Sequence, residues 1–395
     1  MVTTSTPGVE NGNACPHFPA CGGCDFRDKT YSEQLEYKEK FCRNLLARFN
    51  VPEFPPMIPS PQSGHYRHKM DFCAGVSPAG ILLGMRQKSR STGVVDIKEC
   101  PVFFRGLGDI LEIFREWAGR NAVPAYELYK HCGRFRYVSL RHSKSTGKVM
   151  VTGAFAFSEE EFEAKKEIFR ELAGELQKVP EVSSIYICLN NKLSDETLSS
   201  DLRLWQGEKY IREKINAIEY LSSPEIFLQS NPLACAGLYG RIKLKAEEFA
   251  RGGEVLDMYC GSGGITLQLA DVCSRIKAVD NSPRNIEDAR ENAKLNKISN
   301  IDFICEDAEA YLERTAPGAF SAIILDPPRQ GLSKKTLSAV ARSGAKHIIY
   351  VSCNPLNLRQ DLIALEGIYR PDSAVGVDMF PHTRHIEMVV TLTKL

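Results

Sequence analysis

The sequence predicts an α/β protein in which a doubly wound parallel sheet fills residues 229–395 and a separate α+β unit precedes it. Two observations carry this. After about residue 230, apolar runs (EVLDMYC, RIKAVD, IDFICED, FSAIILDPP and HIIYVSC) alternate with helical stretches, the order of a parallel sheet with crossover helices. Between Tyr66 and about Lys214, short alternating runs such as HYRHKMDFCAG, GILLGMR, FRYVSLRH and KVMVTGAF read instead as an antiparallel sheet.

The elements follow in order. Residues 1–14 form a polar lead, expected to be disordered. Residues 15–64 hold the cysteine run ACPHFPACGGCDF, then a helix over 31–49 with apolar positions Leu35, Phe41, Leu45 and Leu46, then the proline-rich linker VPEFPPMIPSP. Residues 65–228 make the α+β unit, with helices near 105–120 and 158–177 and hairpin turns at SPAG and STGK. In residues 229–395 the tail, AVGVDMF then HIEMVVTLTKL, reads as a closing strand pair rather than a further βα unit.

Composition bounds the function. With 395 residues, 43% of them hydrophobic, the chain can build two or three domains. No stretch is long and apolar enough to span a bilayer, and MVTTSTPGVENGN lacks the basic and apolar regions of a secretory signal, so a cytoplasmic address is expected. Thirteen scattered cysteines, an odd number, argue for reduced thiols rather than a disulfide framework. Net charge is only +1, yet residues 65–148 hold fifteen Lys and Arg against seven Asp and Glu, plus four histidines. That concentration suits a polyanion such as RNA. No membrane partner and no obligatory protein partner are expected.

Chemistry-bearing residues gather at the predicted strand ends. The run from Val255 to Gly264, VLDMYCGSGG, is a buried strand entering a glycine turn that lets backbone approach a nucleotide-like ligand. Asp280 ends the next strand, twenty-three residues after Asp257, the spacing at which a carboxylate accepts bonds from ribose hydroxyls. A dinucleotide enzyme would share these features. The turn is nevertheless G-x-G-G rather than the G-x-G-x-x-G that receives a pyrophosphate, and an adenosyl sulfonium has no phosphate to hold. Asp326, in DPPRQG, is stiffened by two prolines; Cys353, in YVSCNP, stands where ligand sites form in open sheets; Glu387 opens an otherwise apolar strand and needs a partner or a role. A capping carboxylate, a buried structural thiol and a salt bridge to Arg384 are the respective plain alternatives.

Together the motifs FLQSN, LDMYCGSGG, AVDNS, LDPPRQGL, YVSCNP and HIE, in that order, resemble the RNA uracil-C5 methyltransferase family, whose members modify tRNA and 23S rRNA. The resemblance covers nearly the whole chain after residue 14. It implies a Rossmann-like catalytic domain that uses S-adenosylmethionine, with Gln229, Tyr259, Asp280 and Asp326 at positions that contact this donor and Asp307 on its adenine side. Asp280 is often glutamate in the family, and several members carry asparagine where this chain has Gly264. Cys353 falls on the family nucleophile and Glu387 on its proton acceptor. That chemistry suits uracil: a thiolate adding to C6 gives enolate character to C5, which takes the methyl, and a base then removes the C5 proton so that the thiol departs.

The resemblance also implies that Cys15, Cys21, Cys24 and Cys100 ligate a [4Fe–4S] cluster, as in several members, with zinc the chemical alternative. Many relatives carry an RNA-binding barrel before these cysteines; with fourteen residues preceding Cys15, this chain resembles the short 23S rRNA subgroup, with tRNA as the alternative target. The central unit is therefore expected to grip RNA. Candidate contacts are Arg67, His68, Lys69, Arg86, Lys88, Arg90, Arg134, Arg136, Arg141 and Lys144, with Tyr66, Phe135 and Tyr137 as stacking rings, about half of them reaching RNA. Two rival functions are an RNA cytosine-C5 methyltransferase, which would place its cysteine after a proline, and a catalytically silent RNA-binding or folding protein.

Overall fold

The computed structural model describes residues 15–78 and 80–395; the expected disordered lead, residues 1–14, lies outside the described residues. The first helix, α1 (Tyr31–Leu46), starts at a capping box in which Thr30 and Glu33 satisfy each other's backbone N–H groups. A single 3-10 turn, Ala47–Phe49, extends it.

A seven-stranded sheet follows, built from β1 (Lys69–Ser77), β2 (Gly80–Gln87), β3 (Arg90–Asp96), β4 (Phe135–His142), β5 (Val149–Phe155), β6 (Val182–Leu189) and β7 (Leu202–Gly207) in the order β3-β2-β1-β4-β5-β6-β7. Helices α2 (Leu107–Arg120), α3 (Glu159–Ala164) and α4 (Lys166–Leu176) interrupt it. Phe114 and Trp117 of α2 and Phe169 of α4 pack with Phe135 and Phe155 of the sheet, and the Trp117 indole donates to Ile168 O at 2.6 Å. The expected antiparallel sheet is corrected at one point: β5 and β6 run parallel, because the α3–α4 crossover returns the chain in the same direction.

A hairpin, β8 (Ile211–Ile215) and β9 (Ile218–Ser222), shares its core with the C-terminal residues: the Tyr220 hydroxyl donates to Gly264 O, and Asn292 and Asn296 accept from the backbone of β9. The second sheet comprises β10 (Glu254–Met258), β11 (Arg275–Asp280), β12 (Ile301–Cys305), β13 (Ala322–Leu325), β14 (His347–Ser352), β15 (Tyr369–Val377) and β16 (Glu387–Lys394). Its order is β12-β11-β10-β13-β14-β16-β15, parallel from β12 to β14. The parallel strands are buried on both faces, which is why they read as continuous apolar runs. One face carries the helices α5 (Pro232–Ala250), α6 (Gly264–Gln268) and α7 (Pro283–Leu295); the other carries α8 (Ala308–Glu313), α9 (Lys334–Arg342) and α10 (Pro355–Ala364). The tail adds the antiparallel pair β15–β16, with β16 seated between β14 and β15.

Helix α1 belongs to this second sheet's packing, against α10 and β15. Of Leu35, Phe41, Leu45 and Leu46 only Leu46 is fully buried, Leu35 packs partly buried on the core and Phe41 is exposed. The buried stripe is Gln34, Lys38, Cys42 and Leu46, spaced by four. The two polar side chains turn inward because buried partners await them, as the Lys38–Asp378 ion pair at 2.7 Å illustrates.

Trp117→Ala is expected to lower stability by about 3–5 kcal/mol, since it empties the centre of the first core and frees a buried carbonyl. Urea unfolding measures this; a loss under about 1 kcal/mol would mean that the aromatic cluster does not hold the sheet together.

Candidate active site

The second sheet brings its chemistry to the C-terminal ends of the parallel strands. Beside β10, the turn at Gly261 and Gly263 has φ of 55° and 85°, backbone that glycine adopts without strain, and Tyr259 shares the left-handed region at φ 67°. Asp280, at the end of β11, spans this turn: one carboxylate oxygen accepts from Gly261 N at 3.0 Å, the other from Ser282 N at 2.9 Å and Asn285 Nδ2 at 3.0 Å. Asp307 caps α8, with Oδ1 accepting from Glu309 N and Ala310 N. The Tyr259 hydroxyl lies 3.3 Å from Thr336 Oγ1 on α9. Gln229 is partly exposed, two residues before the Asn231 cap of α5.

Cys353 and Glu387 meet through register. In the antiparallel β14–β16 pair Ser352 stands opposite Met388, so the next residues, Cys353 and Glu387, face each other across the strands. Cβ atoms in such positions lie about 5 Å apart. Asp326 ends β13 on the other side of β14. Among the described residues no hydrogen bond joins the Cys353, Glu387 or Asp326 side chain to another residue, although Glu387 is only 3% exposed.

Burial pushes the Glu387 carboxyl well above its usual range, Asp326 adds to this, and the Arg329 cation opposes it. Asp326 is likewise raised by burial and by Asp257. Burial also raises the Cys353 thiol, with Glu387 and then Asp326 contributing and Arg329 opposing. Below them Asp257 is pushed up to about 7 by burial; Thr266 donates to its Oδ2 while Oδ1 has no partner. A carboxyl as buried as Glu387, with no cation paired to it, is costly to ionise, and a cationic ligand lowers that cost. A sulfonium held over the glycine turn fits this donor set.

Two amides hold the loop after β13 against the cysteine loop: Asn354 Nδ2 and Asn357 Nδ2 both donate to Arg329 O, at 3.1 and 2.7 Å. From within α10, Asp361 Oδ2 accepts from Leu332 N and from the Tyr350 hydroxyl. Arg329 and Asp361 were passed over in the sequence, although Arg329 stands inside the DPPRQG motif.

A family model described as tRNA (Uracil-5-)-methyltransferase matches residues 197–395. The chain belongs to this family. A Pyrococcus furiosus protein named tRNA (uracil(54)-C(5))-methyltransferase is 31% identical over 387 residues, which is 98% of this chain and 86% of that one. An uncharacterized RNA methyltransferase of Halalkalibacterium halodurans is 33% identical over 401 residues, 99% of this chain and 85% of the relative. The crystal structure of the Pyrococcus abyssi tRNA (uracil-54, C5)-methyltransferase with S-adenosyl-L-homocysteine superposes with a TM-score of 0.76 at 30% identity, over 95% of this chain and 86% of that one. The chain is thus an S-adenosylmethionine-dependent RNA uracil-C5 methyltransferase. Among the described residues no helix is long and apolar enough to cross a membrane.

In this methyltransferase Cys15, Cys21, Cys24 and Cys100 line one cavity with Arg27 and Arg67. Among the described residues no three His, Cys, Asp or Glu side chains converge tightly enough to grip an ion as they stand. Arg27 adds positive charge here: its Nε and Nη2 are buried without a hydrogen-bond partner, and its guanidinium lowers the Cys24 thiol by charge and by a side-chain hydrogen bond, which burial outweighs. The segment is stitched to β2 by Gly22 N to Arg86 O and Lys88 N to Ala20 O, both at 2.9 Å.

The expected RNA contacts need correction. His68, Arg136, Arg141, Tyr66 and Phe135 are buried and serve packing: His68 Nε2 lies 3.2 Å from Ser222 Oγ, Arg136 donates to the carbonyls of Asn190, Lys192 and Ser194, and Arg141 to Pro224 O. Tyr137 is also buried and bonds Asp195. The accessible cations are Arg67, Lys69, Arg86, Lys88, Arg134 and Lys144; of these Lys69, Arg86, Lys88 and Arg134 are in ion pairs. Nothing is described of the Arg90 side chain.

The carboxylates beside Cys353 carry an electrostatic prediction. Alkylation of Cys353 by iodoacetamide is expected to keep rising above about pH 9 in the free enzyme, and Glu387→Gln should shift the profile to lower pH by removing one negative charge. Mass spectrometry of the Cys353 peptide reads both; a profile that Glu387→Gln leaves unmoved would mean that the carboxylate does not face the thiol.

Proposed function

We propose that this methyltransferase converts a loop uridine of a structured RNA to 5-methyluridine, with Cys353 as nucleophile and Glu387 as the base. The observation that carries this reading is the cross-strand placement of the Cys353 thiol opposite the buried Glu387 carboxyl. Cys353, its thiol proton lost to solvent, forms a bond from Sγ to C6 of the ring, and the electron pair displaced to C5 takes up the methyl. When bound, S-adenosylmethionine would supply that methyl from a sulfonium whose positive charge offsets the Asp326 and Glu387 carboxylates, its S–CH3 bond breaking to leave neutral S-adenosylhomocysteine. Glu387 then accepts the C5 proton, the C6–S bond breaks, the ring double bond returns, and the proton passes to solvent. Asp280 and the glycine turn would hold the ribose, Asp326 the charged end, and Gln229, Tyr259 and Asp307 the remaining edges of the donor.

For the target we favour a tRNA T-loop uridine, because relatives aligned along nearly the whole chain bear the name tRNA (uracil(54)-C(5))-methyltransferase. The 23S rRNA expected from the sequence has no such support. A uridine reaching Cys353 must leave its stack, which a loop permits at lower cost than a duplex. Cys15, Cys21, Cys24 and Cys100 would hold a [4Fe–4S] cluster, a thiolate-ligated group whose negative charge suits Arg27.

RNA carrying 5-fluorouracil is expected to form a denaturation-resistant adduct with the wild type and none with Cys353→Ala; equal yields would remove Cys353 from the chemistry. Unmodified tRNA and 23S rRNA offered together should direct the labelled methyl to the tRNA, and labelling confined to 23S rRNA would reverse the choice of target. Anaerobically purified enzyme should be brown with about four irons per chain. Colourless protein holding one zinc would decide for the other metal.

A further inference from the structure

The loop between β15 and β16, which delivers Glu387, is held from outside the catalytic sheet. Gln34, one of the inward polar residues of α1, is fully buried and uses both ends of its amide. Its Oε1 accepts from His382 N at 2.7 Å, while Nε2 reaches His382 Nδ1 at 3.1 Å, Phe26 O at 3.1 Å and Lys29 O at 3.0 Å. The imidazole is neutral, lowered to about 4 chiefly by burial, so Nδ1 accepts from the amide and Nε2–H donates to Ser63 O at 3.0 Å. His382 has φ 67°, a left-handed conformation that costs a non-glycine residue energy and persists only under constraint.

Other contacts converge on the same loop. His382 O accepts from Asp25 N and Phe26 N, Arg384 N donates to Asp25 Oδ2, the Tyr66 hydroxyl donates to Pro381 O, and Lys38 binds Asp378 and Phe380 O. From α1, Gln34 reaches the cysteine-bearing segment and the loop at once, and Phe26 makes the same junction from the segment's side, through Tyr37 and His382 O. Five residues beyond His382 the chain enters β16 at Glu387.

We propose that Gln34 is a positioning residue for the proton-removal step, fixing His382 and with it the entry of Glu387 into register opposite Cys353. The inference rests on the reading of Glu387 as base. Adduct formation and methyl transfer depend on Cys353 and the donor site, which stand on β10, β11, β13 and β14; proton removal depends on where the loop sets Glu387. Loosening the loop therefore separates two steps that a general structural defect would slow together.

The test is a single-turnover reaction of the full-length enzyme with a tRNA or 23S rRNA transcript, whichever is the better acceptor, tritiated at uracil C5. Methyl incorporation and tritium release are followed in parallel. In the wild type the two traces coincide. With Gln34→Met, which keeps the side-chain length and removes every polar bond, methyl incorporation is expected within about twofold of wild type and tritium release slowed about tenfold, with methylated RNA retained on the protein under denaturing conditions. Traces that stay coincident, fast or slow, overturn the proposal. If Gln34→Met does not fold, Gln34→Glu, which keeps the acceptor for His382 N and loses the donor, must show the same split to a smaller degree; coincident traces there overturn it equally. Glu387→Ala run alongside separates the two failures. No split in Glu387→Ala means that Glu387 is not the base, whereas a split there with none in the Gln34 variants rejects the role of Gln34 alone.

Discussion

One constraint governs the active site: an antiparallel strand lies beside a parallel one, in a register that sets Cys353 opposite Glu387. A parallel neighbour arriving by a helical crossover would point its own C-terminal end the same way as Cys353. A strand entering from the opposite direction offers its first residue there instead. Because strand faces alternate with a period of two, slipping β16 by one residue would turn Glu387 to the other face and carry Met388, Val390 and Leu392 from the core on one side of the sheet into the differently shaped core on the other. The packing that stabilises the sheet thus also fixes the geometry of the two functional groups.

That arrangement leaves the Glu387 carboxyl buried without an ion-pair partner and Asp257 Oδ1 without a hydrogen bond, and the fold pays for it elsewhere. Hydrogen-bonded carboxylates in the same domain show the contrast: Asp280 accepts three bonds, and Asp361 ties Tyr350 to Leu332. Each such bond contributes roughly 1 kcal/mol net. Two large apolar clusters, one on each face of the sheet, supply the compensating burial. The N-terminal segment extends the logic, since α1 and residues 25–26 reach across the sheet to grip a loop that the sheet's own strands leave free. A segment first seen as a carrier of cysteines therefore also serves as a brace.

The parallel strands were legible in the sequence because burial on both faces writes an uninterrupted apolar run, and Cys353 and Asp326 because each directly follows such a run. Glu387 could be singled out as a carboxylate opening an apolar strand. What it faces could not, because pairing across 34 residues leaves no local trace. The same blindness explains the errors. Gln34 and Lys38 count as solvated in any amphipathic reading of α1, yet distant partners turn them inward. Arg136 and Arg141 counted as RNA contacts because composition records charge and not the face it occupies; a guanidinium with several donors can satisfy buried carbonyls as readily as phosphates. The parallel β5–β6 pair was hidden because alternation of apolar residues does not encode strand direction.

Two carboxylates near a nucleophilic thiol look self-defeating, since both hold the proton on sulfur. The balance changes once each step is weighed separately. A thiolate's intrinsic nucleophilicity falls with its pKa, with a Brønsted slope of about 0.4–0.5, so a raised thiol gives fewer but more reactive thiolates. A raised carboxyl is in turn a stronger base toward a carbon-bound proton than an ordinary glutamate. The carboxylates' effect on sulfur depends on net local charge, so a cation entering beside Asp326 relieves the thiol. Arg329 already opposes these carboxylates, but it is exposed and screened by water. A buried cation at the same distance acts through a less screened medium and weighs more. On the proposed roles of Cys353 and Asp326, the thiol would become more reactive with the methyl donor in place, which would limit futile addition to a base that has no methyl to receive.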